Sequence, residues 1–285
     1  MTLNQTMTMN RLRDYASLFS RQVASEVLSG NLEVIYQKIE RYDAAWTGSN
    51  ETYHGYLKKV YHCLNDNYRN EYILKNELLN DWLKDHLGST NCEIYSEFRV
   101  GTAKADLVMF NGTAIAFEIK SEYDSPERLN NQLANYLKAF NEVYVIVSEK
   151  QLKRYESLID EAVGLISFSG NEFIEVRESA VRKILCRKTV MGLLYTKEYK
   201  KMVQDYYGAL PEMTSFTQYD VCFDLIERID EDRFAEMYLS TLKNRAKRPN
   251  LSTRYYAEFN QLVLAMNWNE KQRQVYMTHL KKPIA

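Results

Sequence analysis

A chain of 285 residues, 45% hydrophobic and 26% charged, can bury a substantial core as one large domain or about two smaller ones. Its formal net charge of −1 excludes capture of a polyanion by the field of the whole molecule, so nucleic acid must be met by a local basic surface. Four scattered cysteines (Cys63, Cys92, Cys186, Cys222) form no CxxC pair, which argues against a thiolate zinc site or a disulfide framework and favours a reducing, cytoplasmic setting. The opening "MTLNQTMTMNRLRDY" has no apolar leader, and no apolar run approaches the roughly 20 residues of a membrane helix, so neither export nor a membrane partner is expected.

Glycine and proline are scarce, at 10 and 4, and the first stretch reads as helix. Leu12, Tyr15, Phe19, Val23 and Val27 recur at helical spacing, with Gly30 placed to cap. Amphipathic pattern continues in "LEVIYQKIERYDAAW" and "GYLKKVYHCLNDNY", so residues 1–69 are expected to form a helical arm. A helix over "NEYILKNELLNDWLKDHLG" follows, with Asn70 as N-cap and Gly88 as stop. Three strand-like runs come next, "CEIYSEFRV", "KADLVMF" and "TAIAFEIK", the last two joined by Asn111-Gly112. Ser125 and Pro126 open a further helix, "DSPERLNNQLANYLKAF", and "EVYVIVS" reads as a buried strand. With "GLISFSG" the order is that of a mixed α/β core over residues 70–176, and helical pattern then resumes over 177–285. "KRPNLSTRYY" reads as a loop.

The strand "AIAFEIK" carries the chemistry. Side chains two apart on a strand share a face, so Glu118 and Lys120 project together with Ala114 and Ala116, while Ile115, Phe117 and Ile119 point the other way. A two-residue turn at Asn111-Gly112 would put Asp106 on the wrong face. A three-residue loop, Phe110-Asn111-Gly112, with Gly112 left-handed, pairs Asp106 with Ala116 and brings it beside Glu118 and Lys120, and this is the form expected. Two acids and a lysine on one sheet face suit metal-assisted hydrolysis. A hard divalent cation takes one or two carboxylates and leaves positions for water and phosphate, and the lysine can orient the nucleophile or offset transition-state charge.

Asp106, then Glu118-Ile119-Lys120, after a helix carrying Glu77 and before a helix carrying Gln132 and Tyr136, resembles the PD-(D/E)XK nuclease superfamily. Within it, "QLANY" is similar to the QxxxY helix of the RecB-like and Cas4-like branches. The likeness spans residues 70–150 and departs at Ala105, where the name-giving motif has proline. It implies a restriction-endonuclease-like αβββαβ core with Glu77, Asp106, Glu118 and the Ile119 carbonyl on Mg²⁺ or Mn²⁺. It also implies that Lys120 assists the attacking water and that Gln132 and Tyr136 position substrate or hold the site. Gln132 falls on the stripe of Leu129, Leu133, Tyr136, Leu137 and Phe140, where a buried amide needs partners.

His54, His62 and Cys63 lack companion ligands and read as ordinary helix residues, and neither GxxxxGK[ST] nor HExxH occurs. Basic and aromatic residues interleave in "VRKILCRK" (Arg182, Lys183, Arg187, Lys188) and "LKNRAKRPNLSTRYY" (Lys243, Arg245, Lys247, Arg248, Arg254). These could track a phosphate backbone or be solvated helix faces. The expected function is a divalent-metal-dependent nuclease acting on DNA, in bacterial or phage defence, counter-defence or DNA processing, with a homodimer or an accessory protein partner left open. The rivals are an RNA-directed nuclease with the same site and a non-catalytic binding or assembly protein with a relic core.

Overall fold

The structure is a computed structural model that describes residues 8–48, 50–87, 89, 92–170, 172–245, 251 and 254–284. In chain order, five helices come first: α1 (Met9–Ser17), α2 (Arg21–Leu28), α3 (Glu33–Tyr42), α4 (Tyr53–Asn67) and α5 (Glu71–Glu77). Strands β1 (Glu93–Val100), β2 (Ala103–Phe110) and β3 (Ala114–Lys120) precede α6 (Leu129–Tyr136), β4 (Glu142–Ser148), α7 (Leu152–Glu156), β5 (Gly164–Ser169) and β6 (Glu172–Arg177). The chain closes with α8 (Arg187–Met191), α9 (Thr196–Tyr207), α10 (Gln218–Ile226), α11 (Glu231–Lys243), α12 (Asn260–Ala265) and α13 (Glu270–Leu280).

Two compact units result, one from residues 1–88 with 247–285 and one from 89–246. This differs from the three-part division read from the sequence. Residues 70–88 belong with the helical unit, and the C-terminal helical region is shared between the two bodies. The physical reason is which apolar faces meet. In the helical unit α13 packs on α2 and α12 on α5, and Thr52 bridges Pro283. In the other unit α8 to α11 bury Val190, Met202, Cys222, Phe234 and Tyr238 in the same core as the sheet.

Helix ends follow local chemistry. The apolar stripe Leu12 to Val27 is buried as expected, but Ser20 accepts the Val23 N–H and starts a new helix, splitting the stripe into α1 and α2. Gly30 takes φ +90° beyond α2. Asn70 caps α5 through the Ile73 N–H at 3.0 Å. Leu78–Trp82 then widens into a π-helical turn, and the expected stop at Gly88 lies outside the described residues. The Ser125-Pro126 start holds, with a 3₁₀ turn at Pro126–Arg128 leading into α6.

The sheet runs β1-β2-β3-β4-β5-β6 in chain order. Pairs β1/β2, β2/β3 and β5/β6 are antiparallel, and β3/β4 and β4/β5 are parallel. Parallel neighbours need crossovers, which α6 and α7 supply. The face bearing Ala114, Ala116, Val143, Val145 and Val147 packs against Leu129, Leu133 and Tyr136 of α6 and Phe234 of α11. Buried tyrosines tie the layers together through their hydroxyls: Tyr95 donates to the Leu242 carbonyl at 2.6 Å and Tyr238 to that of Ala139 at 3.1 Å.

Strand β6, at the end of the 70–176 core, is not among the strand-like runs read from the sequence. Its outer residues Ile174 and Val176 are exposed, so no clean alternation marked it. Residues 178–186 form no helix, although helical pattern was expected from 177. Among the described residues no helix is long and apolar enough to cross a membrane.

The turn that decides the site has three residues, as expected, but begins one residue later. Phe110 pairs with Ala114, leaving Asn111, Gly112 and Thr113 as the loop, with Gly112 at φ +109°. Moving the register by a whole pair preserves which face each side chain occupies. Asp106 therefore stays on the Glu118 face, one pair further along than the expected position opposite Ala116.

Candidate active site

Leu107 pairs with Phe117 as the last regular rung between β2 and β3, so the next position brings Asp106 opposite Glu118. The Asp106 carboxylate reaches across and accepts the backbone N–H of Ile119 at 2.7 Å. This bond fixes Asp106 to the strand that carries the other two charged residues. Glu118 is 2% exposed and Lys120 8%, so both lie inside the fold at the end of a strand that is otherwise hydrocarbon.

Burying these charges requires partners, and α6 supplies them. Glu118 Oε1 accepts from Lys120 Nζ at 2.7 Å and from Gln132 Nε2 at 2.6 Å, while Oε2 accepts the Tyr136 hydroxyl at 2.8 Å. Lys120 Nζ also donates to Gln132 Oε1 at 3.0 Å, closing a triangle of carboxylate, ammonium and amide. Gln132 and Tyr136 are four residues apart on one helix, so they present side by side to the strand. Both amide ends of Gln132 are used, which sets its orientation.

The electrostatics are asymmetric. Burial first, and the charge of Asp106 second, push the Glu118 carboxyl up to about 7, while Lys120 and the Tyr136 hydroxyl pull it down. Burial, then the charge of Glu118, hold the Tyr136 phenol far above its ordinary value, so it remains a neutral donor at physiological pH.

One residue of this cluster was missed in the sequence. On β1, Ser96 pairs with Leu107 and Phe98 with Ala105, so Glu97 stands across from Asp106. A carboxylate oxygen of Glu97 lies within 4.8 Å of one of Asp106, and Glu97 also meets Lys104 Nζ in an ion pair. Glu97 adopts φ +58°, a conformation uncommon for any residue but glycine. The available signal was the Gly101-Thr102 turn, because Val100 pairing with Ala103 fixes Glu97 opposite Asp106.

Glu97, Asp106 and Glu118 supply hard oxygen donors of the kind Mg²⁺ or Mn²⁺ accepts. The Glu118 carboxyl is raised chiefly by burial and then by the charge of Asp106, with Lys120 and Tyr136 opposing. Of the three, Glu97 and Asp106 bring carboxylate oxygens within 4.8 Å of each other, while both Glu118 oxygens are taken by Lys120, Gln132 and Tyr136. The Ile119 side chain lies buried on the opposite face, so any part it takes in binding is through its carbonyl.

The other candidates sort by where their side chains are committed. Glu77 lies in the helical unit, where it accepts the Tyr61 hydroxyl. Arg187 pairs with Glu231 at 3.0 Å, donates to the Ile226 carbonyl at 2.6 Å and sits over the Phe234 ring. Arg245 grips both carboxylate oxygens of Glu198, at 2.9 and 2.6 Å, and lies over Tyr195. These two arginines hold helices together and are not free to meet a phosphate. Lys183, Lys188 and Arg254 are exposed, Arg182 and Lys243 are half-buried, and Lys247, Arg248 and the break at Pro249-Asn250 lie outside the described residues.

Fold and site together define an α/β protein whose six-stranded mixed sheet buries Glu118 and Lys120 at one strand end, with half-buried Asp106 and Gln132 beside them. A family-wide sequence profile described as Bacteriophage P4 protein cII matches residues 64–265, well over half of the chain. The chain belongs to that family. It is similar to "Protein cII" of Enterobacteria phage P4, 24% identical over 197 residues that cover 67% of this chain and 70% of that protein. Among solved structures, "SPO1766 protein of unknown function from Silicibacter pomeroyi" matches at 16% identity over 46% of this chain and 89% of that one. Its TM-score is 0.30, too low to bear on the fold. The family match spans all of the site residues from Glu97 to Tyr136.

Proposed function

We propose that the protein is a divalent-metal-dependent nuclease of the PD-(D/E)XK kind, hydrolysing phosphodiester bonds in DNA. The observation that carries this reading is the placement of Asp106 opposite Glu118, with Lys120 and Gln132 bonded to Glu118 on the same buried face. Asp106, Glu118 and the Ile119 carbonyl would hold Mg²⁺ or Mn²⁺, with Glu97 next to Asp106. When bound, such an ion polarises a phosphoryl oxygen and makes water a stronger nucleophile near neutral pH.

The chain's own residues do the positioning. Gln132 and Tyr136 hold Glu118 in one orientation, so the acid does not rotate away when its neighbours change charge. Lys120, anchored through Glu118 and Gln132, keeps a donor for the attacking water or for the oxyanion that forms. The exposed Lys183 and Lys188 would meet the DNA backbone. Four cysteines outside any disulfide accord with action in a reducing cytoplasm, and the setting would be bacterial or phage defence, counter-defence or DNA processing, as a homodimer or with an accessory protein.

Incubation with linear, circular and single-stranded DNA and with RNA, in Mg²⁺, Mn²⁺ or chelator, tests the reading. Metal-dependent loss of DNA that Glu118→Gln abolishes supports it. RNA cut in preference to DNA moves the substrate class, and no cutting of any substrate by the parent protein removes the proposal.

A further inference from the structure

Beyond the acids and Lys120, the same end of the sheet holds polar atoms without partners. Among the described residues, Ser148 Oγ, Gln151 Oε1 and the Tyr155 hydroxyl are buried without a hydrogen-bond partner, and they fall within eight consecutive residues. Those residues follow directly from the carboxyl end of β4, and the carboxyl ends of parallel strands are where open α/β sheets bind ligands. Ser148 continues the face of Tyr144 and Ile146, away from the site. Tyr155 does not.

Lys120 of β3 lies beside Val147 of β4 in the parallel register. Helix α7 crosses over from β4 to β5 and buries Tyr155 completely, in the same core as Val147, Leu129 and Tyr136, on the face that carries Glu118 and Lys120. The charges of Lys120, Asp124 and Glu118 all act on its hydroxyl, and burial keeps that phenol protonated. Leaving a hydroxyl buried without a partner costs about 1–3 kcal/mol, and native folds rarely accept that without a reason. Lys120 has three N–H donors, and its recorded bonds go to Glu118 and Gln132. A buried ammonium donor and a buried phenol donor on one face of the sheet, from adjoining elements, suit an acceptor with negative charge and more than one lone pair.

We propose that Tyr155 is a substrate-binding residue, its hydroxyl donating to a non-bridging oxygen of the phosphodiester beside Lys120. This rests on the nuclease reading and deepens it, adding a contact from the helix after β4 that neither the acids nor the glutamine provides. Gln151, four residues earlier at the head of α7, offers its unpartnered carbonyl on the same side of the helix for a water or a sugar hydroxyl next to that phosphate.

Tyr155→Phe keeps the buried ring and removes only the hydroxyl. Parent and variant are compared in three measurements: thermal melting, Mn²⁺-dependent cleavage of duplex DNA, and binding of a short fluorescent duplex in chelator. The expected result is a melting temperature equal to or above the parent's, a fall in kcat/KM of about tenfold to a hundredfold, and weaker metal-free binding. Equal cleavage and equal binding overturn the assignment. A lowered melting temperature with unchanged binding also overturns it, since the hydroxyl then holds the fold through an internal water. If the parent itself cuts nothing, the nuclease reading fails, and that failure is seen in the parent and not in the variant.

Discussion

The Asp106 carboxylate accepts the Ile119 N–H at 2.7 Å, so one residue of β2 is fastened to the backbone between the two charged residues of β3. The bond sets the acid pair without relying on the hairpin alone. Asp106→Asn retains an oxygen that can accept this N–H and removes only the charge. The fold is expected to persist by circular dichroism while cleavage falls by at least about a hundredfold. Asp106→Ala additionally orphans the Ile119 amide and is expected to melt at a lower temperature than Asp106→Asn.

The burial and neighbouring charge that push Glu118 up to about 7 give a pH signature with a definite sign. A carboxyl whose folded pKa exceeds its unfolded value, near 4.5, contributes stability that is complete below about pH 4.5 and lost as pH rises through about 7. The metal-free protein should therefore lose part of its stability between pH 5 and 8, and Glu118→Gln should flatten that part of the melting profile. Cation and proton compete for the same oxygens, so Mn²⁺ affinity measured by calorimetry is expected to fall as pH drops below about 7.

Tyr136 donates to Glu118 at 2.8 Å, and that donation lowers the Glu118 carboxyl. Removing it in Tyr136→Phe is expected to move the acid limb of the cleavage profile to higher pH and to cost about 1.5–3 kcal/mol of stability by denaturant titration. A structural tyrosine with no hold on Glu118 would change stability and leave the limb where it is.

The pairing of Phe110 with Ala114 decides which face Asp106 occupies. Deleting Thr113 shortens the loop to Asn111-Gly112 and keeps that pair, so Asp106 stays opposite Glu118 and cleavage should persist, whereas a variant in which cleavage vanishes while the sheet remains would show that the pair had slipped. Gly112→Ala, at φ +109° with open space around its Cβ position, is expected to cost about 1–2 kcal/mol of stability and to spare activity.

The basic residues separate into two groups by the same logic. Arg245 and Glu198 are nearly buried together, so Arg245→Ala should destabilise by roughly 3 kcal/mol or more. Lys183→Ala and Lys188→Ala, both at exposed positions, should leave melting unchanged, weaken DNA binding and each lower the salt slope by about 1.

Much of the sheet was legible because its signals are local. The run Glu142–Ser148 is apolar and β-branched and is a strand over those bounds, and Asn70 and Ser125 cap helices as their chemistry dictates. The alternation in Ala114–Lys120 identified the face shared by Glu118 and Lys120, and the helical spacing of Gln132 with Leu129, Leu133 and Tyr136 set it toward the sheet. What was not legible depends on distant partners. Whether residues 70–82 join the sheet or the helical body is decided by α12, nearly two hundred residues away. Arg187 and Arg245 look like any basic residues until Glu231 and Glu198 fold against them. Strand β6 has few buried side chains to betray it, and Glu97 needed the β1/β2 register to be seen beside Asp106.

Digestion of linear duplex DNA in Mn²⁺ by the parent protein and by Glu118→Gln, purified identically and shown to fold alike, tests the central claim most directly. The account predicts fragments with the parent, none in chelator, and none with the variant. Equal cutting by both proteins, or no cutting by the parent under any divalent cation, contradicts it.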